Sequence, residues 1–255
     1  MSSKICLQEK MADIKKLEAL FSKEKEFNLA SMFPYFQYIS SGLESVTRYK
    51  RREDIAGQSV KENNLHHSYK MALITIMLTI KENERRLAEE KLDIGILVIM
   101  AIIHDIAEIT QGDIASFEKK TKFKDKEYEA FTRVIEPLPL PVKEYLVDAF
   151  RKVIPGSKYY AESEESRFFK GIEQIEHLSR ALHECRQGNL HFGPKFIRPQ
   201  LPVIVDLSKE FTSLIGYAQG FMIELESYEK EFEKKREYYL KKYKKHGHKE
   251  ETFPF

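Results

Sequence analysis

Cysteine and tryptophan are nearly missing from this chain, and so is charge of one sign. Two cysteines, Cys6 and Cys185, stand far apart, and there is no tryptophan. Two isolated thiols cannot build a disulfide framework or a zinc ribbon, so a reducing, cytoplasmic setting is expected. Lysine and arginine total 42 against 40 aspartates and glutamates, a net charge of +2. Mixed charge of this kind describes a solvated surface, not the one-signed field of a dedicated nucleic-acid binder, and no nucleic-acid partner is expected. The most apolar run, Leu92 to Ile103, is 12 residues long. A bilayer span needs roughly 20. The stretch from Met1 to Lys25 is peppered with lysine and glutamate and lacks the apolar core of a secretory signal. A soluble protein with no membrane partner is the expectation. Glycine-rich phosphate loops, internal repeats and low-complexity segments are missing as well.

What the chain does have is helical periodicity. At 255 residues and 42% hydrophobic it can bury one good-sized core. From Ser68 to Ile80 the residues Met71, Leu73, Ile74, Ile76, Met77, Leu78 and Ile80 fill more than one face, which predicts a largely buried helix. A second helix is predicted over Leu92 to Thr110, stopped by Gln111-Gly112. Lys124 to Ile135 is amphipathic, and Pro137, Pro139 and Pro141 separate it from a helix over Val142 to Val153. Phe168 to Cys185 is helical again. A proline-containing loop, His191 to Pro202, then leads into a long final helix. There Leu207, Phe211, Leu214, Ala218, Phe221, Leu225, Tyr228, Phe232 and Tyr239 keep the spacing of a helical seam, to be packed on the protein's own core or in a homodimer. Gly216 and Gly220 on that helix suit a close backbone approach. The fold class is all-α.

His104 and Asp105 end the apolar run, and Glu108 follows within a turn. Unpaired buried charge costs several kcal/mol or more, so such residues need partners or a metal. Neighbours on a helix point about 100° apart, so both reach one ion only at the lip between them, with other elements completing the site. His67 is the natural third ligand, because it opens the predicted buried helix after the polar stretch Lys61 to Asn64. A capping or surface role is its alternative, and His66 beside it has a weaker claim. Glu173, at the start of the face Ile172, Ile175, Leu178 and Leu182, is the candidate fourth ligand; its alternative is an ordinary ion-paired helix residue.

In this order the residues resemble the HD-domain metal-dependent phosphohydrolases, whose signature is a histidine, a His-Asp pair and a later aspartate. The similarity is closest to the HD 5′-deoxynucleotidase subgroup, in which the pair extends to His-Asp, two residues, Glu, three residues, Gly-Asp. Here that stretch runs from His104-Asp105 through Glu108 to Gly112-Asp113. Glu62-Asn63 before His67-Ser68, the Lys126, Glu129, Ala130 helix, Ala181-Leu182 and Gly188-Asn189 extend the similarity over roughly Tyr49 to Asn189. The resemblance implies an HD-type catalytic domain at 31–205, between a charged helical extension at 1–30 and a long helix with a basic tail at 206–255. It implies that His67, His104, Asp105 and Glu173 bind one divalent ion, which such a ligand set leaves open among Mn, Co, Fe, Ni, Zn and Mg. A two-metal site would need more histidines between Ile106 and Glu176, where there are none.

On the same resemblance the substrate is a small nucleotide. Glu108, four residues after His104 and three after Asp105, would share their helix face and orient or deprotonate the attacking water. Asp113 would protonate the leaving 5′-oxygen or hold the sugar; a turn or N-cap is its structural alternative. Arg52, 15 residues before His67, stands where the family keeps a phosphate-gripping arginine, with Arg48 and Arg51 as competitors. Two departures matter. Glu173 replaces the family's aspartate and is one methylene longer, with Glu176 the nearest substitute. Glu53 follows Arg52 where the deoxynucleotidases carry a tryptophan that crowds the sugar's 2′ position. The expected activity is phosphate release from (deoxy)nucleoside 5′-monophosphates or similar esters. The alternatives are hydrolysis of a nucleoside triphosphate or (p)ppGpp on the same metal core, and a nucleotide-sensing module without turnover.

Overall fold

The computed structural model describes residues 29–48, 62–112, 121–187 and 192–245, and among them the regular secondary structure is entirely helical. The helices are α1 (Leu29–Ser45), α2 (Asn64–Asn83), α3 (Ile94–Ile103), α4 (Glu108–Gln111), α5 (Thr121–Val134), α6 (Leu140–Arg151), α7 (Glu164–Arg186), α8 (Phe192–Glu210) and α9 (Ile215–Lys245). The described residues divide into two compact units, one of residues 29–48, 62–112 and 121–170, the other of 171–187 and 192–245. No helix among the described residues is long and apolar enough to cross a membrane.

In the first unit α1 packs on α2 and α4, α2 on α3, α3 on α6, and α5 on α4 and α6. Its core holds Met71, Leu97, Met100, Ile109, Phe131 and Phe150, all buried. The rings of Phe131 and Phe150 stack with centroids 3.8 Å apart and fasten α5 to α6.

Local chemistry sets where α2 and α3 begin. The Asn63 side chain caps α2 by accepting the His66 N–H at 2.9 Å, so the helix starts at Asn64, ahead of the apolar pattern that predicts a start at Ser68. An isolated antiparallel bridge joins Thr47 to Asn63. Its hydrogen bonds, Arg48 N–H to Glu62 O at 2.9 Å and Asn64 N–H to Val46 O at 3.0 Å, tie the end of α1 to the start of α2. Asp93 caps α3 by accepting the Gly95 and Ile96 N–H groups. The Asn83 amide both donates to and accepts from the Leu92 backbone, at 2.9 Å each way, which holds the end of α2 beside the entry to α3.

Sequence periodicity runs a single helix through Thr110, but the structure breaks it. Helix α3 ends at Ile103, residues 104–107 form turns closed by three-residue hydrogen bonds, and α4 follows as one short helix. Such tight turns nearly eclipse residues three apart, so Asp105 and Glu108 come to one side without a shared α-helical face. Gly112 ends α4 at φ +74° and donates its N–H to Glu108 O at 2.7 Å; a side chain at that φ would be strained.

In the second unit α8 packs on α9. The expected proline loop is helical instead: α8 runs straight through Pro194, Pro199 and Pro202. Pro194 lies in the first turn, where its missing N–H breaks no hydrogen bond. Pro199 and Pro202 are three residues apart and so fall on one side of the helix, which confines the two lost bonds to that side. The predicted seam is also split. A turn at Thr212–Leu214 separates α8 from α9, and Phe211, Leu214, Ala218 and Phe221 are buried across it. Gly216 and Gly220 face open space, so neither serves a close approach to a described part of the same chain. Cys185, on α7, is buried against Tyr228, and Arg186 donates to both carboxylate oxygens of Glu224, at 2.6 and 2.7 Å.

Candidate metal centre

The break after α3 turns His104 and Asp105 towards the first turn of α2, where His67 lies. All three side chains are buried. The two imidazoles meet at Nε2, 3.1 Å apart, and Asp105 Oδ2 is 3.4 Å from His104 Nε2 and 3.7 Å from His67 Nε2. His104 Nδ1 lies 2.8 Å from the Ala101 carbonyl. A carbonyl only accepts, so Nδ1 is the donor of this bond and Nε2 is the nitrogen turned to the site. The edge of Phe169 packs against the His104 ring, with centroids 5.8 Å apart, and limits its rotation. Two nitrogens at 3.1 Å need a proton or a cation between them.

A divalent ion fits these residues. Donors about 2.1 Å from a common centre, subtending about 90–125°, are separated by about 3.0–3.7 Å. The observed 3.1, 3.4 and 3.7 Å fall within that range. The donor set of two imidazoles and one carboxylate suits a borderline transition ion.

Two further groups of the first unit stand beside these three. Arg48, held by the bridge beside the start of α2, donates from Nη1 to Asp105 Oδ2 at 2.6 Å. Both partners are at most a tenth exposed, which makes this a desolvated pair whose loss would strand a carboxylate. The Asn64 amide, fully buried, donates from Nδ2 to Glu108 Oε2 at 2.7 Å. A hydrogen bond to an ionised carboxylate is roughly twice as strong as a neutral one and fixes its direction. Glu108 is therefore a buried, oriented acceptor rather than a solvated surface charge.

Of the residues that the sequence marks, the structure brings His67, His104 and Asp105 together, with Glu108 on the following short helix. His66 is exposed, and its backbone serves the cap. Glu173 is half-buried on α7 in the second unit, and Glu176, one turn on, is buried there. Arg51, Arg52 and Asp113 lie outside the described residues. Among the described residues, Arg48 donates to the aspartate of the histidine-aspartate group. Sequence reasoning missed Asn64, because an asparagine next to a helix cap reads as capping chemistry. Its only signal is that Asn63 already fills the cap, leaving Asn64 inside the helix with an amide to satisfy.

A family model for the HD domain matches residues 43–198, more than half of the chain. The chain belongs to the HD-domain family. Among solved structures it is similar to one described as a predicted metal-dependent phosphohydrolase from Magnetospirillum magnetotacticum MS-1. The TM-score is 0.57 at 20% identity, over 78% of this chain and 96% of that one. At that identity the likeness speaks for the fold. No curated protein matches this chain.

Proposed function

We propose that this protein is a divalent-metal-dependent phosphohydrolase that releases phosphate from (deoxy)nucleoside 5′-monophosphates or similar small phosphoesters. The observation that carries the reading is the convergence of His67, His104 and Asp105 beside a carboxylate held by its own amide donor, Glu108 on Asn64. Membership of the HD-domain family and likeness to a protein described as a metal-dependent phosphohydrolase support the reaction class. The nucleotide substrate rests on the resemblance of the stretch His104 to Asp113 to the 5′-deoxynucleotidases. A cytoplasmic setting suits the free, buried Cys185.

His67, His104 and Asp105 would hold the ion, with Glu173 as the fourth ligand on the family's pattern. A bound divalent ion supplies Lewis-acid polarisation of the phosphoryl group and lowers the pKa of water. The remaining work belongs to the chain. Attack on a phosphate monoester is limited by bringing a nucleophile to an anion and by charge on the departing oxygen, so positioning and charge stabilisation dominate. Glu108, oriented by Asn64, accepts the proton of the attacking water. Arg52 would grip the phosphate with its guanidinium fork, with Arg48, whose Nη1 donates to Asp105, and Arg51 as competitors for that role. Asp113 would protonate the leaving 5′-oxygen or hold the sugar. Glu53 stands in sequence where the deoxynucleotidases carry a tryptophan, so selection for deoxyribose is not expected and both sugars belong among the substrates to be tested.

The test is a product assay on metal-loaded protein across ribo- and deoxyribonucleoside mono- and triphosphates and (p)ppGpp. The reading predicts orthophosphate and nucleoside from monophosphates of both sugars. Triphosphate or pyrophosphate as the product would transfer the activity to the other substrates. Nucleotide binding without turnover in any divalent metal would make the protein a sensor.

A further inference from the structure

Glu108 presents a carboxylate, which only accepts, so the Asn64 amide must keep its nitrogen on Oε2 and turn its own oxygen away. An amide flips with almost no change of shape, and a flipped Asn64 would set oxygen against oxygen. Whatever pairs with Asn64 Oδ1 therefore fixes the amide. Asn64 is fully buried, and Oδ1 has no hydrogen-bond partner among the described residues. Ser68, one turn further along α2, shares the buried face of Asn64, Met71 and Thr75. It is 4% exposed, and its Oγ lacks a partner among the described residues as well. A hydroxyl inside a helix ordinarily donates to the carbonyl four residues back. Thr79 does so, to Thr75 O at 2.7 Å, whereas Ser68 does not bond the Asn64 carbonyl and directs its hydroxyl elsewhere. Buried polar atoms are costly to leave unpaired, and here two of them lie one turn apart on the helix that orients Glu108.

We propose that Asn64 Oδ1 and Ser68 Oγ hold one buried water molecule, which makes Ser68 a positioning residue for Glu108. The water donates to Oδ1 and accepts from the Ser68 hydroxyl, so one neutral guest satisfies both atoms. Size and chemistry select water. Side chains four apart on a helix have Cβ atoms about 5–6 Å apart, a gap that a molecule about 2.8 Å from each oxygen spans. Two neutral oxygens are too few for a hard divalent cation, which takes about six oxygen ligands. With a donor on Oδ1, a flip of the amide breaks the bonds on both its sides and sets its oxygen against a carboxylate, so Nδ2 stays on Glu108. Without that donor the amide loses one of its two anchors, and Glu108 loses direction with it.

The water site stands on geometry alone, and its effect on turnover rests on the reading of Glu108 as the acceptor of the attacking water's proton. A crystal structure of the full chain is expected to show an ordered water about 2.7–3.2 Å from both Asn64 Oδ1 and Ser68 Oγ. In metal-loaded protein Ser68→Ala is expected to lower kcat roughly two- to tenfold, the worth of one neutral hydrogen bond, with KM unchanged. In the Asn64→Ala background the same substitution is expected to leave kcat where it was, because Ser68 acts only through that amide. A hydroxyl that merely supports packing would lower kcat alike in both backgrounds. A site without water, a direct Ser68–Asn64 side-chain bond, an unchanged kcat in Ser68→Ala, or an equal loss in both backgrounds would each overturn the proposal. A wild type that holds the water but releases no phosphate would overturn the proposed function, and Ser68's part in it, while leaving the water site in place.

Discussion

Replacing Asn64 with alanine deletes the donor that faces Glu108 and leaves both helix caps intact. The bond is short, 2.7 Å from Nδ2 to Oε2, and its partners are 0 and 5% exposed, so water does not replace it freely. A hydrogen bond to a charged group contributes about 1.5–3 kcal/mol. If Glu108 must point at the attacking water, that loss falls on the transition state, and at about 1.4 kcal/mol per tenfold it slows kcat roughly 10- to 140-fold. KM should move little, because Asn64 is not placed on the substrate. Metal content should be unchanged, because the Asn64 amide donates to Glu108 and not to one of the three converging side chains. Asn64→Asp is the sharper variant. It keeps the size of the side chain but sets a second carboxylate against the first, so kcat should fall at least as far as in Asn64→Ala. The assay is steady-state phosphate release by fully metallated protein, with a thermal melt of each variant. An unchanged kcat in Asn64→Ala, accompanied by a lower melting temperature, would refute the positioning role and leave the amide as packing alone.

Gly42→Ala should destabilise the first unit by about 1–3 kcal/mol in a urea titration, because the added methyl would lie 2.7 Å from Cγ2 of the buried Ile109. That contact joins α1 to the short helix bearing Glu108, so phosphate release should fall as well. The thiol of Cys185 is pushed up to about 11, by burial first and then by Glu184, Glu224 and Glu231. An acid held neutral by the fold favours the folded state below its ordinary value of 9.0 and loses that contribution as pH rises towards 11. At pH 8 the thiolate fraction drops from about one in ten to about one in a thousand, so native Cys185 should be alkylated about a hundredfold more slowly than in the urea-unfolded chain. Equal rates would contradict this.

Much of the site was legible because its chemistry is local in sequence. His104-Asp105 at the end of an uncharged run leaves a buried imidazole and carboxylate in need of partners, and the polar approach to His67 marks a helix start near a cleft. The all-α class follows from apolar spacing alone. Where reading failed, the cause was a local group that overrides spacing. Asn63 starts α2 earlier than its apolar pattern does. Hydrogen bonds of three-residue span after Ile103 break a helix that periodicity continues. In α8 one proline sits in the first turn and the other two share a side, so a segment rich in breakers stays helical. Exposed Leu73, Met77 and Ile80 on α2 show the opposite limit, since apolar residues on several faces predict burial on all of them and one face is open. The amide at Asn64 and the seat of Arg48 depend on contacts across 44 and 57 residues, and no spacing rule reaches that far.

The central claim is that His104, with His67 and Asp105, holds a divalent ion on which phosphate release depends. Metal analysis of purified wild type and His104→Ala, measured beside their phosphate release, tests it most directly. The account predicts a stoichiometric divalent ion and activity in the wild type, with both lost in the variant. A variant that keeps its metal and its phosphate release would contradict it.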